Sequence, residues 1–409
     1  MNNRADCSSW TSNDRNQTAD LAGSDWDIAV IGAGPAGAVA AIQLAARGMS
    51  VVLLDSKAFP RDKVCGGCLN QRAWQGLQSV TVPRGKTSAP ARILAAGASE
   101  VNRLRLNGLG REANWALPGM HAISRRTMDD LLIRMAIESG VIFCAETAAK
   151  VVDDAAEHFR KVQLMTPDAS TCTIRARIVI AADGLGHSSL NGISAFASQV
   201  VASARIGLGT LVTDDSPSYA AHELTMSVGH FGYVGVTRVE NAQLNVAAAV
   251  DTGAMKQLGP AKTIATILAS CNLPMLDSLR DAKWTGTLPL TRQSQSVAAR
   301  RLFAIGDAAG YVEPFTGEGM SWAIVSALQF CNLLVDTDLD DCERLTTAWI
   351  GKWRQQVRRK QLLCRGLAGL LRHPQMAGLS LAMARSLPWI PQWLIARVSG
   401  VGNTYTGAA

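Results

Sequence analysis

Glycines and a carboxylate near the start of the chain have the types and spacing that bind a dinucleotide. A short apolar run enters the turn Gly32-Ala33-Gly34-Pro35-Ala36-Gly37, and an alanine-rich helical pattern follows. A second apolar run, Val51–Leu54, ends on Asp55. Strand, tight turn, helix, strand and acid in this order are typical of a dinucleotide-binding βαβ unit. The glycines alone would be weak evidence, because ordinary βα turns also contain them.

Each of these residues has a physical role beside a phosphate-containing ligand. Gly32 allows a sharp turn, Gly34 allows the backbone to approach a pyrophosphate, and Gly37 allows close packing of the helix on the sheet. The N-terminus of the helix offers free N–H groups and the positive end of the helix dipole. Asp55 is expected to bond the hydroxyls of an adenosine ribose.

Length and composition describe a globular chain with two domains. The 409 residues can form two cores, and no run of about eighteen apolar residues predicts a spanning helix. The polar segment 1–24 lacks the apolar stretch of a signal peptide and is expected to be a disordered tail. Nine scattered cysteines predict reduced thiols and a cytoplasmic protein rather than a disulfide framework.

Cys65 and Cys68 form a Cys-x-x-Cys pair on a segment rich in glycine. A structural zinc site would need two more ligands, and no second Cys-x-x-Cys occurs, so no metal site is predicted. A thiol redox pair is an open alternative. Gly66 and Gly67 would let a ligand approach the backbone closely.

Other candidate ligand groups lie at the starts of helices and the end of a buried strand. Ser124 is a plausible helix N-cap, and Arg125 in the first turn faces either an anion or solvent. Asp183-Gly184 follows the apolar run Ile178–Ala181, the place where ligands bind in open α/β sheets.

A third segment combines a short strand, an aspartate motif and further glycines. Arg301–Ala304 runs into Gly306-Asp307, and Gly317 and Gly319 precede a helix expected from Ser321 to about Asp336. The amides at these glycines would face an electron-rich group.

The middle of the chain has a different pattern. Ile206–Val212, Gly232–Val239 and Gln243–Ala249 alternate in a way that predicts antiparallel strands, and Lys262–Ser270 predicts a helix. Ser88–Leu117 predicts short strands and turns. A second domain built on a β-sheet is expected.

Taken in order, these motifs resemble those of the class A flavoprotein oxidoreductases, the superfamily of p-hydroxybenzoate hydroxylase. The resemblance covers about residues 25–335, and its geranylgeranyl reductase branch matches best. The motifs shared with the superfamily are Gly32–Gly37, the set of Arg125, Met128, Asp129 and Leu132, then Asp183-Gly184 and Gly306-Asp307. The segments Phe59–Gly66 and Gly306–Met320 are similar to the reductase branch and more distantly to flavin halogenases.

The resemblance implies an α/β fold with a Rossmann-like FAD-binding domain of the glutathione reductase type and an antiparallel β-sheet substrate domain. The FAD-binding domain would span 25–90, 120–199 and 291–340. The substrate domain would span 91–119 and 200–290, followed by a helical basic region at 341–409. FAD is the implied cofactor, with NAD(P)H as a transient electron donor, since no second dinucleotide motif is present.

The resemblance also implies positions for the cofactor. Ala149 would lie near adenine, Arg125 and Asp307 near the ribityl chain and phosphates, and Met320 beside the isoalloxazine. The full set of implied cofactor-binding residues is Gly32, Gly34, Pro35, Ala36, Gly37, Asp55, Ser56, Cys65, Gly66, Arg125, Ala149, Asp183, Gly184, Gly306, Asp307, Gly317, Gly319 and Met320. Cys65 and Tyr233 are the candidate catalytic residues.

The pocket strand departs from the reductase branch. The reductase branch has a Tyr-x-Trp-x-Phe-Pro motif on this strand, and Gly232–Thr237 has its tyrosine, Tyr233, but lacks the Trp, Phe and Pro. The Asn-Val-Gly motif of the branch is partly present as Asn245-Val246-Ala247. The halogenase motif Trp-x-Trp-x-Ile-Pro is absent. We therefore favour hydroxylation of a lipophilic or aromatic small molecule over reduction of an isoprenoid C=C bond. An electron carrier or thiol redox sensor is a third alternative.

The C-terminal region carries the positive charge of the chain. Ten Lys or Arg and no Asp or Glu follow Glu343, and the preceding 343 residues hold 40 − 10 = 30 basic and 33 acidic residues. This distribution argues against a nucleic-acid-binding core. Trp389 and Trp393 suit a membrane interface, so we expect either a helix packed on the body or peripheral docking to an anionic inner membrane face. The sequence leaves the oligomeric state open.

Overall fold

The computed structural model describes residues 21–108, 110–155, 158–313 and 317–356. The C-terminal segment 357–409, including its two tryptophans, lies outside the described residues. Within the tail predicted at 1–24, residues 21–24 are described, and Leu21 is buried in the core. The end of that range therefore packs against the domain, because an apolar side chain next to β1 is removed from water.

The helices and strands of the described residues are numbered in chain order. The strands are β1 (Asp25–Ile31), β2 (Val51–Leu54), β3 (Cys68–Leu69), β4 (Ser99–Gly108), β5 (Arg111–Ala122), β6 (Ile142–Cys144), β7 (Ala148–Ala155), β8 (Arg160–Met165), β9 (Thr171–Ala181), β10 (Ser198–Val200), β11 (Ile206–Val212), β12 (Glu223–Gly229), β13 (Gly232–Arg238), β14 (Leu244–Val250), β15 (Thr285–Pro289), β16 (Arg292–Ser294), β17 (Ala298–Ala299) and β18 (Leu302–Ala304). The helices are α1 (Pro35–Ala45), α2 (Gln71–Gln78), α3 (Ala89–Ala95), α4 (Arg125–Glu138), α5 (Thr252–Ser270), α6 (Gly319–Val335) and α7 (Cys342–Gln356).

The first sheet has the parallel order β6-β2-β1-β9-β18, with β17 antiparallel beside β18. The hairpin of β7 and β8 continues from the start of β9. Strands β1 and β2 are apolar and mostly buried, as strands covered on both faces must be. This is the α/β dinucleotide-binding architecture that the sequence predicts.

The second sheet has the order β15-β11-β14-β13-β12-β4-β5-β3. Its pairs are antiparallel except β4 with β12, which run parallel. One face packs on α5, and the other faces the first domain. The edge strand β3 is Cys68–Leu69, so the segment after Asp55 crosses from the first sheet to the second.

The prediction of short strands and turns at Ser88–Leu117 is wrong. Residues Ala89–Ala95 form α3, because Pro90 fits the first turn of a helix that starts after Ser88. Strands β4 and β5 are long, with 10 and 12 residues. Arg103 and Arg105 of β4 both pair with the buried Glu223 of β12, which holds this parallel pair in register.

Helix α4 is anchored at its N-terminus by the second domain. Ser124 caps the helix by accepting from the Thr127 N–H, as predicted. The buried carboxylate of Glu240 accepts from the Ser124 N–H at 2.9 Å and from both hydroxyls of this turn. The second domain therefore fixes the turn of α4 that carries Arg125.

Candidate cofactor and substrate cleft

The glycine turn lies at the carboxyl end of the parallel sheet, between β1 and α1. Gly32 has a φ of +103° and donates its N–H to the Leu54 carbonyl at 2.7 Å. A β-carbon at Gly32 would lie 2.4 Å from the carbonyl oxygen of Ala182, and one at Gly37 would lie 1.8 Å from that of Gly32. Both distances are sterically impossible, so these two positions require glycine.

Gly34 differs from these two glycines because open space lies in front of it. It is the N-cap of α1 and makes no side-chain capping bond, so the first-turn amides of α1 keep free hydrogen-bonding capacity. A β-carbon at Gly34 would meet only the Arg125 guanidinium, at 3.4 Å. A ligand can therefore approach the backbone here.

Two adjoining cavities follow the carboxyl edge of the first sheet and hold most of the predicted cofactor residues. The first cavity is lined by Gly34, Pro35, Ala36, Cys65, Gly66, Arg125, Gly184, Asp307, Gly317, Gly319 and Met320, and also by Tyr233. The second is lined by Gly32, Asp55, Ser56, Ala149 and Asp183. Gly37 and Gly306 lie behind the lining, where a β-carbon at Gly306 would be 2.9 Å from that of Ala36.

The Asp55 carboxylate braces the glycine turn as well as lining the second cavity. Its Oδ2 accepts from the Ala33 N–H at 2.8 Å and from Arg61 at 3.0 Å, and its Oδ1 accepts from the Lys57 N–H at 3.0 Å. A carboxylate has about four lone-pair sites, so capacity remains for ribose hydroxyls.

Arg125 is one half of a buried ion pair. Its Nε and one terminal nitrogen each donate to an Asp129 oxygen at 2.7 Å, and Asp129 is fully buried. Burial alone would lower the pKa of Arg125, but the Asp129 charge and hydrogen bonds raise it. Arg125 therefore stays charged and also has a structural role that the sequence does not predict.

Lys63 and Asp307 complete a cluster of charges at the junction of the cavities. Burial lowers the pKa of the Lys63 ammonium, and Arg125 and Arg61 lower it further. Burial raises the pKa of Asp307, an effect that Lys63 and Arg125 oppose. The sequence does not single out Lys63, because one lysine on a loop is usually solvated.

Asp183 follows β9 and supports the turn after it. Its Oδ2 accepts from the Ser189 N–H at 2.9 Å. Its Oδ1 is buried without a hydrogen-bond partner among the described residues. One oxygen of Asp183 thus stabilises the turn, and the other can accept a hydrogen bond from a bound ligand.

The Cys65 loop lies between the two domains. The side chain of Asn245 donates to the Cys65 carbonyl at 2.9 Å, which gives the partly kept Asn245-Val246-Ala247 motif a positioning role. Burial raises the pKa of Cys68 to about 12, and the nearby Cys65 thiol adds to this shift. Cys68 is therefore a protonated thiol at neutral pH. Among the described residues no His, Cys, Asp and Glu cluster is suited to a metal ion.

Two tyrosines line the end of the first cavity that faces the second sheet. Tyr233 lies on β13, and the buried Arg205 guanidinium is 5.9 Å from its ring centroid. Tyr311 lies between Asp307 and α6, with its hydroxyl 3.5 Å from the β-carbon position of Gly319. Tyr311 is one of four tyrosines and lies within the Gly306–Met320 motif, but the sequence pattern does not single it out as a site residue.

These features fit FAD. The open space over Gly34 and the uncapped start of α1 suit a diphosphate, and Asp55 and Asp183 offer acceptors to ribose or adenine groups. Asp307 and the Cys65–Gly66 backbone border the other cavity, where the isoalloxazine would lie. The fold and the cleft define a dinucleotide-dependent redox enzyme.

A family model described as an FAD binding domain matches residues 25–337, so the chain belongs to this family of FAD-dependent oxidoreductases. The chain is 28% identical over 371 residues to the menaquinone reductase of Mycolicibacterium smegmatis, covering 85% of each protein. It is 24% identical to digeranylgeranylglycerophospholipid reductase 1 of Methanococcoides burtonii, covering 80% of this chain and 79% of that protein.

Solved structures share the fold. The flavin-dependent brominase Bmp2 superposes with a TM-score of 0.72 at 15% identity, covering 92% of this chain and 94% of that chain. PqsL from Pseudomonas aeruginosa, a probable FAD-dependent monooxygenase, superposes with a TM-score of 0.67 at 16% identity, covering 87% of this chain and 99% of that chain. Within the described ranges, no helix is both long and apolar enough to cross a bilayer.

The two glycines of α1 predict different consequences of substitution. Gly34→Val should leave the protein folded and abolish FAD binding, because its side chain enters the open cleft. Gly37→Ala should instead lower the melting temperature, because its methyl group overlaps the Gly32 carbonyl. Flavin absorbance and thermal melting of both purified variants separate the two effects. Retention of FAD by Gly34→Val would contradict the assignment of this space to the diphosphate.

Arg125→Ala should destabilise the FAD-free fold by about 3–5 kcal/mol, because it leaves the Asp129 carboxylate buried and unpaired. The matched control is Arg126→Ala, which breaks an exposed pair with Asp62 and should cost about 1 kcal/mol or less. Denaturant unfolding of both variants without FAD measures the difference. Equal stability of the two variants would show that the buried pair is not structural.

Proposed function

We propose that this FAD-dependent oxidoreductase adds hydrogen across a carbon–carbon double bond of an apolar, isoprenoid-type lipid. The apolar wall of the first cavity carries the proposal. Beyond Cys65 this wall is formed by Leu185, Leu224, Met226, Ala247, Ala248, Ala249 and Leu290. Asp307 is the one carboxylate among the described lining residues, and it lies at the cofactor end. A hydrocarbon chain gains free energy by leaving water for such a wall.

The groups that face this wall can hold and deliver a proton. Reduction of a C=C bond requires a hydride on one carbon and a proton on the other. Bound FAD, once reduced by a donor such as NAD(P)H, would supply the hydride. Burial raises the pKa of the Tyr311 hydroxyl well above its ordinary value, and the nearby Asp307 charge adds to this. The raised pKa keeps Tyr311 protonated at neutral pH and makes it a weak acid. In this proposal its proton therefore moves only as negative charge develops on the second carbon after hydride transfer, and water would return a proton to the tyrosinate.

Tyr233 and Cys65 line the same cavity and have supporting roles in this proposal. Tyr233 forms part of the substrate wall, where the Arg205 cation lies against its ring. Cys65 lies at the boundary between the cofactor and substrate parts of the cavity. Its backbone is fixed by Asn245, so its side chain can contact both ligands.

The relatives with long alignments support reduction rather than hydroxylation. Menaquinone reductase and digeranylgeranylglycerophospholipid reductase are named for isoprenoid lipids, and each aligns with at least 80% of this chain. Since the sequence alone favours hydroxylation, the apolar wall and these relatives reverse that preference. A lipid substrate also suits the basic segment after Glu343, for which peripheral docking to an anionic membrane remains part of the proposal.

Hydroxylation is the second candidate, because the cavity floor is wide. Gly207, Gly235 and Ala247–Ala249 line it with small residues. A β-carbon at Gly235 would lie 2.9 Å from the Met226 sulfur, so a larger side chain there would have to displace the Met226 side chain. A flat aromatic ring could occupy this space, and oxygen activation by reduced FAD would then replace hydride transfer.

The two reactions give different products from the same substrate. With FAD, NADPH or NADH, and menaquinone in detergent micelles, we expect a product that forms equally well without oxygen. After the quinone ring has been reoxidised in air, this product should still hold two extra hydrogen atoms in its isoprenoid chain. A parallel reaction reduced by dithionite removes dependence on the natural donor. Mass spectrometry of the extracted lipid identifies the product. A product that contains one added oxygen atom and forms only in air would favour hydroxylation instead.

Tyr311→Phe should lower the rate of product formation by about 10²–10⁴-fold, because it removes the proton donor and keeps the ring. FAD content should stay unchanged. Tyr219→Phe is the matched control, since the Tyr219 hydroxyl donates to the Pro274 carbonyl at 3.3 Å, in the core on the α5 face of the second sheet. Rates measured with dithionite as reductant isolate the proton step from cofactor reduction by NAD(P)H. A Tyr311→Phe rate equal to that of Tyr219→Phe would exclude this role.

A further inference from the structure

The junction between the two cavities contains a cation, Lys63, that lies within the Phe59–Gly66 motif but to which the sequence assigns no role. Lys63 and Ala182 each line both cavities. The Lys63 ammonium lies over the Asp183-Gly184 turn, 3.0 Å from where a β-carbon of Gly184 would be. A ligand with one end in each cavity must therefore pass beside Lys63.

FAD is such a ligand, and its charge is located in the middle. The adenosine and flavin ends are joined by a diphosphate, which carries about two negative charges. Adenosine groups fit the cavity of Asp55 and Ala149, and the flavin fits the cavity of Cys65 and Met320. The diphosphate then falls at the junction.

The other cations near the junction are already paired. Arg125 is paired with Asp129 through two bonds of 2.7 Å, and Arg61 is paired with Asp55 at 3.0 Å. Within the part of the chain that the structure describes, no carboxylate forms a salt bridge with Lys63. Its half-buried positive charge is repelled by Arg125 and Arg61 and attracted mainly by the carboxylates of Asp307 and Asp129. A dianion at the junction would supply the missing partner.

We propose that Lys63 binds the FAD diphosphate directly, with its ammonium as a charge-assisted hydrogen-bond donor at the junction of the two cavities. The α1 amides would contact the same phosphates from the Gly34 side, and Lys63 would contact them from the Asp183-Gly184 side. The proposal rests on FAD binding, which family membership establishes, and not on the reaction proposed above.

Lys63→Gln tests this contact, because it keeps a long polar side chain and removes the charge. Full-length protein stripped of FAD is titrated calorimetrically with FAD, ADP and adenosine. We expect affinity for FAD and ADP to fall by a similar factor, about tenfold to a hundredfold, and affinity for adenosine to stay unchanged. Lys63→Arg should recover much of the loss. Lys256→Gln is the matched control, since it removes one charge from an exposed site on α5.

The outcomes separate this role from a structural one. If FAD, ADP and adenosine weaken together, Lys63 shapes the cleft and the proposal is wrong. Unchanged affinity for FAD would also overturn it. A second measurement uses the holoenzyme and needs no apoprotein: release of FAD on dilution should accelerate with salt in the wild type. Release from Lys63→Gln should be fast and nearly independent of salt, and a salt dependence equal to that of the wild type would contradict direct contact with the diphosphate.

Discussion

Close contact between the Gly32 turn, α1 and the end of β9 creates the cleft. The Gly37 position lies against the Gly32 carbonyl, and the Gly32 position lies against the Ala182 carbonyl. These contacts aim the uncapped start of α1 across the carboxyl edge of the sheet and place Asp183 beside it. Asp55 then fixes the turn by accepting the Ala33 N–H. The path available to a diphosphate follows from this packing.

Electrostatics at the junction complement that shape. Burying Lys63, Arg125, Asp129 and Asp307 together is costly unless their charges compensate one another. Arg125 and Asp129 compensate each other, whereas Lys63 and Asp307 are half-buried in the cleft and form no salt bridge with any residue that the structure describes. A bound dinucleotide would supply phosphate oxygens for the cation and hydroxyls for the carboxylate. The cofactor would then complete the polar part of the interior and leave the apolar wall beyond Cys65 for the substrate.

The sequence predicts the first domain well because its signals are local. The glycine turn, the apolar strands and the Ser124 cap each depend on neighbouring residues, and all are confirmed. It predicts less where partners are distant in the chain. The pairing of β4 with β12 depends on Glu223, and the structural role of Arg125 depends on burial of Asp129. Lys63 and Tyr311 acquire significance only from the cavities that they line, which the order of residues does not reveal.

The central claim is that the two adjoining cavities hold one molecule of FAD. The most direct test is the absorption spectrum of the purified wild-type protein, with mass spectrometry of the cofactor released on denaturation. A yellow protein that contains one FAD per chain, or that takes up added FAD to that ratio, is the predicted result. A colourless protein that fails to bind added FAD would contradict the account.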